Sequence, residues 1–437
     1  MRNPLRTLVV VAVATVTLLG IGALFGLRSP APATRTAAAP AAAAPADRLA
    51  STIARAQDRL RDLPRDHETW AALGLAYVEQ ARVTADPSLY PKAEGALRRS
   101  LDVRPEENAT ALVGLGALAN ARHEFAAARQ HATDALRANP YNADAYGVLA
   151  DAQTQLGAPA AATAAIQKML DLRPGLAAYA RASYDLEQRG SVTEATELMR
   201  RALDAAADPA DIAFCRNQLG DLAWSTGDLA SAEREYAAGV AADPSYLALR
   251  RGQARVAAAR GDLATAVADA GAVASRTPTP DTLLEYATLL RLAGDATAAA
   301  RQLTLADAAH KLFVANGGQD DLTGAQIALA RDDAAGAVRL AAAEWQRRPF
   351  ADVADVYGWS LHRAGRDAEA LPLLRQAVAA SSRNAGYAYH LGVTLLSSGD
   401  QAGALAALRQ VRAINPYFSP VDGPTAARAL SALEARP

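Results

Sequence analysis

Cysteine is nearly absent from this chain of 437 residues, where Cys215 stands alone. A disulfide framework within the chain is thereby excluded, and a thiolate-based zinc or iron–sulfur site lacks its ligands. Cys215 itself reads as a buried small hydrophobe or as a thiol for an intermolecular or redox role. Lysine is scarce as well, with only Lys92, Lys168 and Lys311, so nearly all the cationic groups are arginines. That skew reads as a bias of the coding sequence, because 45 basic residues meet 46 acidic ones and the formal net charge is −1. No basic field points to nucleic acid. Aromatic residues make up only 5% of the chain.

Catalytic patterns are missing too. The histidines are His67, His123, His131, His310, His362 and His390, and no two lie three or four apart, so no helix presents two imidazoles together. His67-Glu68 and His123-Glu124 open like a zinc-protease helix but lack its second histidine. Neither a phosphate-binding G-x-x-x-x-G-K-[ST] loop nor a G-x-S-x-G elbow occurs. Asp320-Asp321 and Asp332-Asp333 are acidic pairs at turns, which helix capping and solvation account for, with a calcium site as the sharper alternative. No metal, cofactor or catalytic set is expected, and the chain does not read as an enzyme.

What the chain has in abundance is alanine, its commonest residue, within a hydrophobic fraction of 51%. Such a fraction is too high for a disordered chain. Alanine, leucine and arginine together favour helices packed closely side by side.

The N-terminus stands apart. Residues 8–27, LVVVAVATVTLLGIGALFGL, carry no charge. About 20 apolar residues span a bilayer as a helix, whereas the apolar core of a cleaved signal is about 7–15. Residues 1–28 are therefore expected to be a signal anchor. Arg2, Arg6 and the amine precede the span and Arg28 and Arg35 follow it, which favours an N-terminus in the cytoplasm and the rest of the chain outside it. Cleavage near Ala33, with secretion, is the alternative. Residues 29–46, rich in proline and alanine, read as a semi-rigid spacer.

Beyond the spacer the prolines are periodic. Pro105, Pro140, Pro174, Pro209, Pro244 and Pro278 follow one another at nearly equal spacing, and Pro349 and Pro416 fall two such periods on each. The spacing is that of a helical repeat of roughly 34 residues. Between the prolines recurs a second marker, seen as RGSVTEA, TGDLASA, RGDLATA, AGRDAEA and SGDQAGA. Glycine suits the left-handed residue that ends a helix, and the aspartate following it in three cases suits the N-cap of the next. Each period thus holds two helices, and stacked pairs share a continuous core.

This pattern resembles the tetratricopeptide repeat over about residues 67–416. The family's first helix carries a bulky residue, then Leu-Gly, then a large residue; its second carries Ala, a bulky residue, Ala and Pro. The first repeat matches with Trp70, Leu73, Gly74, Tyr77, Ala93, Leu97 and Pro105, and holds an insertion around ADPSLYP. Leu115-Gly116, Leu219-Gly220, Tyr357-Gly358 and Leu391-Gly392 mark later repeats, while Ser183 and Ala254 replace the glycine in the fourth and sixth. The resemblance implies an all-α, right-handed α-solenoid of about ten repeats behind the transmembrane helix. Residues 47–66 cap it, 67–280 hold repeats one to six, and 281–350 hold two irregular repeats where a change of superhelical pitch is expected. Residues 351–418 hold repeats nine and ten, and 419–437 form a C-terminal cap.

The resemblance further implies that positions 2, 5, 9 and 12 of each first helix face the concave groove. These include Tyr184, Asn217, Asp221, Trp224, Arg251, Arg255, Trp359, His362 and Tyr389. Arginines and aromatics of this kind are frequent binding anchors. Asn217 and Asp221, like Arg251 and Arg255, are four apart on one face and could address a peptide backbone or carboxylate. The alternatives are that Trp224 and Trp359 pack as core and that the arginine pair is solvated surface. Some family members grip a partner's C-terminal carboxylate with two Lys, two Asn and an Arg. Ala71, Leu75, Val113 and Gly147 at comparable positions remove that clamp.

The expected function is a membrane-tethered scaffold holding a protein or peptide in its groove. The second reading is a structural component of an envelope complex that self-associates. An enzyme would have to use His310, Lys311, Asp320 and Asp321, the reactive cluster of the irregular region.

Overall fold

Ten alanines, one in the second helix of every repeat, are completely shielded from solvent: Ala93, Ala128, Ala162, Ala195, Ala232, Ala266, Ala299, Ala337, Ala370 and Ala404. They mark where paired helices touch, because a methyl is the largest group that fits between backbones this close. The structure, a computed structural model, describes residues 45–435. Within them lie 22 α-helices and no strand. Pro45–Asp62 and Asp422–Glu434 flank ten antiparallel pairs, from His67–Thr84 with Tyr90–Val103 to Ala385–Ser397 with Gln401–Ile414. The apolar run 8–27 and the spacer as far as residue 44 lie outside the described residues. Among the described residues no helix is long and apolar enough to cross a membrane.

Four residues after each shielded alanine a second side chain fills the seam within the pair. Leu97, Tyr236, Leu374 and Leu408 are at most 1% exposed. Each lies over a first-helix glycine: a methyl built on Gly74 would sit 2.4 Å from Leu97, and one on Gly220 would sit 2.3 Å from Tyr236. Full burial of such a side chain contributes about 2–3 kcal/mol, so glycine here exchanges helix propensity for a packed knob. Ser183, which replaces glycine in the fourth repeat, uses the same close approach to donate its hydroxyl to the Ala195 carbonyl at 2.7 Å.

The turns follow the local sequence. Gly190, Gly227, Gly261, Gly365 and Gly399, the five glycines of the recurring marker, all adopt positive φ between 75° and 86°. Asp228, Asp262 and Asp400 then cap the following helices, accepting from the backbone N–H of Ser231, Thr265 and Gly403. The region 281–350 is irregular, with a 20-residue helix, Ala296–Ala315, followed by one of only 10, Asp321–Ala330. Asp320 and Asp333 serve as N-caps, accepting from Thr323 and Gly336.

The array does not remain an open spiral. Its second half packs on its first through turns far apart in the chain. The Gln319 amide donates to the Arg122 carbonyl at 2.8 Å. Arg348 donates to Gln155 at 2.6 Å across 193 residues, and Asn415 donates to the Trp224 carbonyl at 2.7 Å across 191. Gly157 faces Pro349, Gly190 faces Arg383 and Gly227 faces Asn415. Mid-repeat turns of the early repeats thus rest on inter-repeat turns of the late ones, and a cavity lies between the two halves.

Candidate functional site

The cavity holds about 330 Å³ and is lined chiefly by first helices. One wall comes from Leu176–Gln188, Pro209–Ser225, Leu247–Ala259 and Pro280–Leu292; the other comes from Ala351–Arg363, Ala385–Ser397 and the segment 415–420. The regular repeat places equivalent side chains in line along the first wall. Glu187, Asp221 and Arg255 form one row, and Asn217, Arg251 and Glu285 form the next.

Tyr184, Asn217, Asp221, Trp224, Arg251 and Arg255 all line this cavity. The arginine pair, however, is neither solvated surface nor held out to a partner's carboxylate. Arg251 bonds Asp281 at 2.5 Å and also pairs with Glu285, while Arg255 reaches Glu285 at 2.6 Å and Asp221 at 3.6 Å. Burial opposes ionisation of Asp281 and Glu285, yet the adjacent guanidiniums hold both carboxyls below their ordinary values. Asp221 also accepts from Asn217 and from the Tyr236 hydroxyl, each at 2.8 Å. Its pKa is raised, because burial outweighs the nearby Arg255 charge. The arginines are thus internal struts between three neighbouring first helices. The sequence signal for this was present: Asp281 and Glu285 stand four apart, 30 residues after Arg251 and Arg255, with Glu285 34 residues after Arg251.

Trp359, His362 and Tyr389 are placed differently from the open-groove expectation. Trp359 and Tyr389 are only 6% and 5% exposed. The Trp359 ring stacks on His390 at 4.2 Å and on His362 at 4.9 Å, and Phe418 covers Tyr389 at 5.5 Å. His362 is occupied by Asp367 at 2.7 Å. These rings form an aromatic core beneath the second wall, because the turn after the last repeat folds over them. Trp224, in contrast, is half-buried and lines the cavity.

The second wall adds groups that inward-position counting missed. Asp352 accepts from the Tyr387 hydroxyl, and Asp355 meets His390 Nδ1 at 2.9 Å. Burial pushes the Asp352 carboxyl up to about 6. On the first wall burial, with the Asp221 charge second, pushes Glu187 up to about 7. In all, five carboxylates (Glu187, Asp221, Glu285, Asp352, Asp355) face three guanidiniums (Arg251, Arg255, Arg383) and His390. Three buried polar atoms of lining residues lack a partner among the described residues: Asn217 Oδ1, Arg251 Nη2 and His390 Nε2. A pocket of this size with a few unsatisfied polar groups is a binding site in form.

The cluster of the irregular region does not converge. His310 Nε2 meets the Asp320 carbonyl at 2.7 Å, Lys311 pairs with Asp307, and Asp321 pairs with Arg347. Cys215 is fully buried in the helix Pro209–Ser225, and burial pushes its thiol up to about 12, which fits the small-hydrophobe reading.

A tetratricopeptide repeat profile matches residues 86–143, 118–177, 217–281 and 358–417. No curated protein sequence matches the chain. Among solved structures, a human IFIT1 dimer with PPP-AAAA is similar at 17% identity and TM-score 0.48, over 75% of this chain and 77% of that one. The APC/C hetero-tetramer Cut9–Hcn1 is similar at 14% identity and TM-score 0.40, over 90% and 97%. Yeast Tom70 is similar at 14% identity and TM-score 0.36, over 89% and 86%.

Proposed function

Since this chain belongs to the tetratricopeptide repeat family, whose members generally mediate protein–protein interaction, we propose that it is a scaffold taking an extended segment of a protein partner into the cavity between the two halves of its array. The observation that carries the reading is the cavity of about 330 Å³ walled by first helices of both halves, whose lining residues keep buried polar atoms without partners among the described residues. Buried polar groups left unpaired each cost about 1–3 kcal/mol, and a backbone threaded between the walls offers both donors and acceptors. The uncharged run 8–27 tethers the scaffold to a membrane, and the 29–46 spacer sets the repeats off from it, outside the cytoplasm. Release after cleavage near Ala33 leaves the binding chemistry unchanged.

Site-specific photo-crosslinking in the native host tests this. Tyr417 lines the cavity at 41% exposure, while Tyr141 is 78% exposed and does not line it. A photoreactive residue at 417 is expected to capture a defined protein that one at 141 does not. Capture of a second copy of this chain would favour self-association instead. Absence of any adduct at 417 would refute the cavity as the partner's seat.

A further inference from the structure

The seam between the two halves is a repeated contact of constant offset. The turn inside repeat two meets the end of repeat seven, through Arg122 and Gln319. The turns inside repeats three, four and five meet the ends of repeats eight, nine and ten, through Gly157 with Pro349, Gly190 with Arg383 and Gly227 with Asn415. Each contact thus joins a mid-repeat turn to the end of the repeat five places on. Elsewhere both kinds of turn are bare. A methyl built on Gly261, Gly294, Gly365 or Gly399, all in mid-repeat turns of later repeats, meets nothing within 4 Å among the described residues. On the repeat ends of the first half, Asn139, Pro140 and Tyr141 are exposed, Tyr141 at 78%.

The last contact of the seam has a twin on each bare edge. It sets Asn415-Pro416-Tyr417 on Ser225-Thr226-Gly227-Asp228. Asn-Pro-Tyr occurs once more in the chain, at 139–141, and Ser-Ser-Gly-Asp at 397–400 is the only other turn of the Ser-Ser/Thr-Gly-Asp type. The local geometry repeats as well. The side chains of Asn139 and Asn415 accept from the amides of Tyr141 and Tyr417 at 3.0 and 2.8 Å. The carbonyls of Trp224 and Leu396 accept from the amides of Gly227 and Gly399 at 2.9 and 3.1 Å. Occupancy is what differs. Asn415 is 2% exposed and donates Nδ2 to the Trp224 carbonyl at 2.7 Å. Asn139 Nδ2 has no acceptor among the described residues, and 397–400 are exposed. The twins do not meet within one chain. Mid-repeat turns and repeat ends lie at opposite ends of each antiparallel pair, so 139–141 and 397–400 fall on the two outer edges of halves whose inner edges form the seam.

We propose that a second copy of this chain docks head to tail, setting its Asn139-Pro140-Tyr141 turn on the 397–400 turn of the first, as Asn415-Pro416-Tyr417 is set on 225–228 within each. Asn139 Nδ2 of the second copy donates to the Leu396 carbonyl, and Tyr141, an exposed aromatic of the kind that anchors interfaces, is covered. At the offset of the seam, the turn after Pro105 of the second copy then falls against Gly365. Such a contact is heterologous, so copies add in a row instead of pairing about a twofold axis. Its surfaces lie outside the cavity, so it stands or falls apart from the scaffold reading.

The test is photo-crosslinking between two differently tagged full-length copies expressed together in the native host, one with a photoreactive residue at 398. An adduct of the two copies is expected, with peptide mapping placing the attachment at 139–141 of the second. Tyr141→Asp in the second copy is expected to lower the yield about tenfold, the scale of a lost aromatic anchor, while Tyr141→Phe keeps it. Absence of an adduct overturns the proposal, and so does capture of a different protein alone. An attachment joining 398 to 398, or to any segment other than 139–141, overturns the head-to-tail arrangement. Unchanged yield with Tyr141→Asp, in a chain of native far-UV circular dichroism, overturns the turn as the docking group; the mapped site decides the matter if that variant does not fold.

Discussion

If Arg251 is a strut rather than a binding group, its removal acts on stability before it acts on any partner. Replacing Arg251 with Met keeps the apolar stem and removes the charge. In the native network Asp221, Asp281 and Glu285 face Arg251 and Arg255, a formal balance of −1. In Arg251→Met the balance becomes −2, around a guanidinium that is only 20% exposed. Breaking a buried pair by deleting one partner costs about 3–5 kcal/mol. Asp281 is 37% exposed on its side chain and regains water, so about 3 kcal/mol is expected. Asp281→Asn alone restores neutrality among the remaining four and is expected to cost about 1 kcal/mol, the scale of one lost charge-assisted hydrogen bond. The double variant returns to −1, so its cost is expected to fall short of the sum by at least about 1 kcal/mol, within the range found for residues in contact. Urea midpoints followed by far-UV circular dichroism give the global effect. Hydrogen exchange of Leu247–Ala259 and Pro280–Leu292 gives the local one, which matters because repeat arrays can unfold in parts. Arg251→Met within about 1 kcal/mol of wild type, with unchanged exchange in both helices, would show the arginine to be free and refute the strut.

Three further outcomes are expected. Gly220→Ala, whose added methyl would lie 2.3 Å from the Tyr236 ring, is expected to cost about 1–3 kcal/mol by overpacking, and an unchanged urea midpoint would show that the ring can move aside. Glu187→Gln is expected to stabilise the chain at pH 8 but not at pH 5. The native carboxyl, raised to about 7, keeps a proton the unfolded one has lost, so the stability it lends drains away as pH rises from about 4.5 to 7. About 1.4 kcal/mol per unit sets a ceiling near 3 kcal/mol, and partial exposure lowers it to about 1–2. Histidine effects are common to both proteins, so a pH-independent difference in melting temperature would contradict the assignment. Gly157→Ala and Gly261→Ala both place alanine at positive φ, but only at 157 does the methyl meet another turn, 2.6 Å from the Pro349 carbonyl, while around 261 nothing lies within 4 Å. The former is expected to cost about 1–3 kcal/mol more; equal costs would mean the two halves of the array do not bear on each other there.

Much of the architecture was legible because it is local and repeated. Proline spacing located the turns between pairs, and glycine followed by aspartate located the turns within them, since each residue acts through its own φ or its own cap. The row of charges was legible in principle as well. Asn217, Arg251 and Glu285 recur one repeat period apart, as do Glu187, Asp221 and Arg255, but reading Arg251 and Arg255 alone left their acidic neighbours one repeat later out of account. What had no local signature was the approach of turns from opposite halves of the chain. Arg348 with Gln155 and Asn415 with Trp224 obey no period, and nothing near either residue announces the other. For the same reason Trp359 and Tyr389 read as groove residues, although the segment carrying Phe418 folds over that part of the second wall.

That closure changes what kind of object the array is. In an open solenoid each repeat touches only its neighbours, and stability is close to a sum of repeat and nearest-neighbour terms. Here the Gln319, Arg348 and Asn415 hydrogen bonds tie late repeats to early ones, so loosening repeat eight also loosens repeat three. The same contacts turn a groove into a cavity. They bring Asp352, Asp355 and His390 opposite Glu187, Asp221 and Arg251, groups that an open spiral would leave facing water. Drawn away from bulk solvent, charges there interact more strongly than on an open face. Residues 293–350, the part of the irregular region after Leu292, lie between the two walls in sequence, and their Gln319 amide and Arg348 guanidinium both reach back across the seam. Their departure from the repeat pattern is therefore accounted for by position: they are where the chain turns from building one wall to building the other.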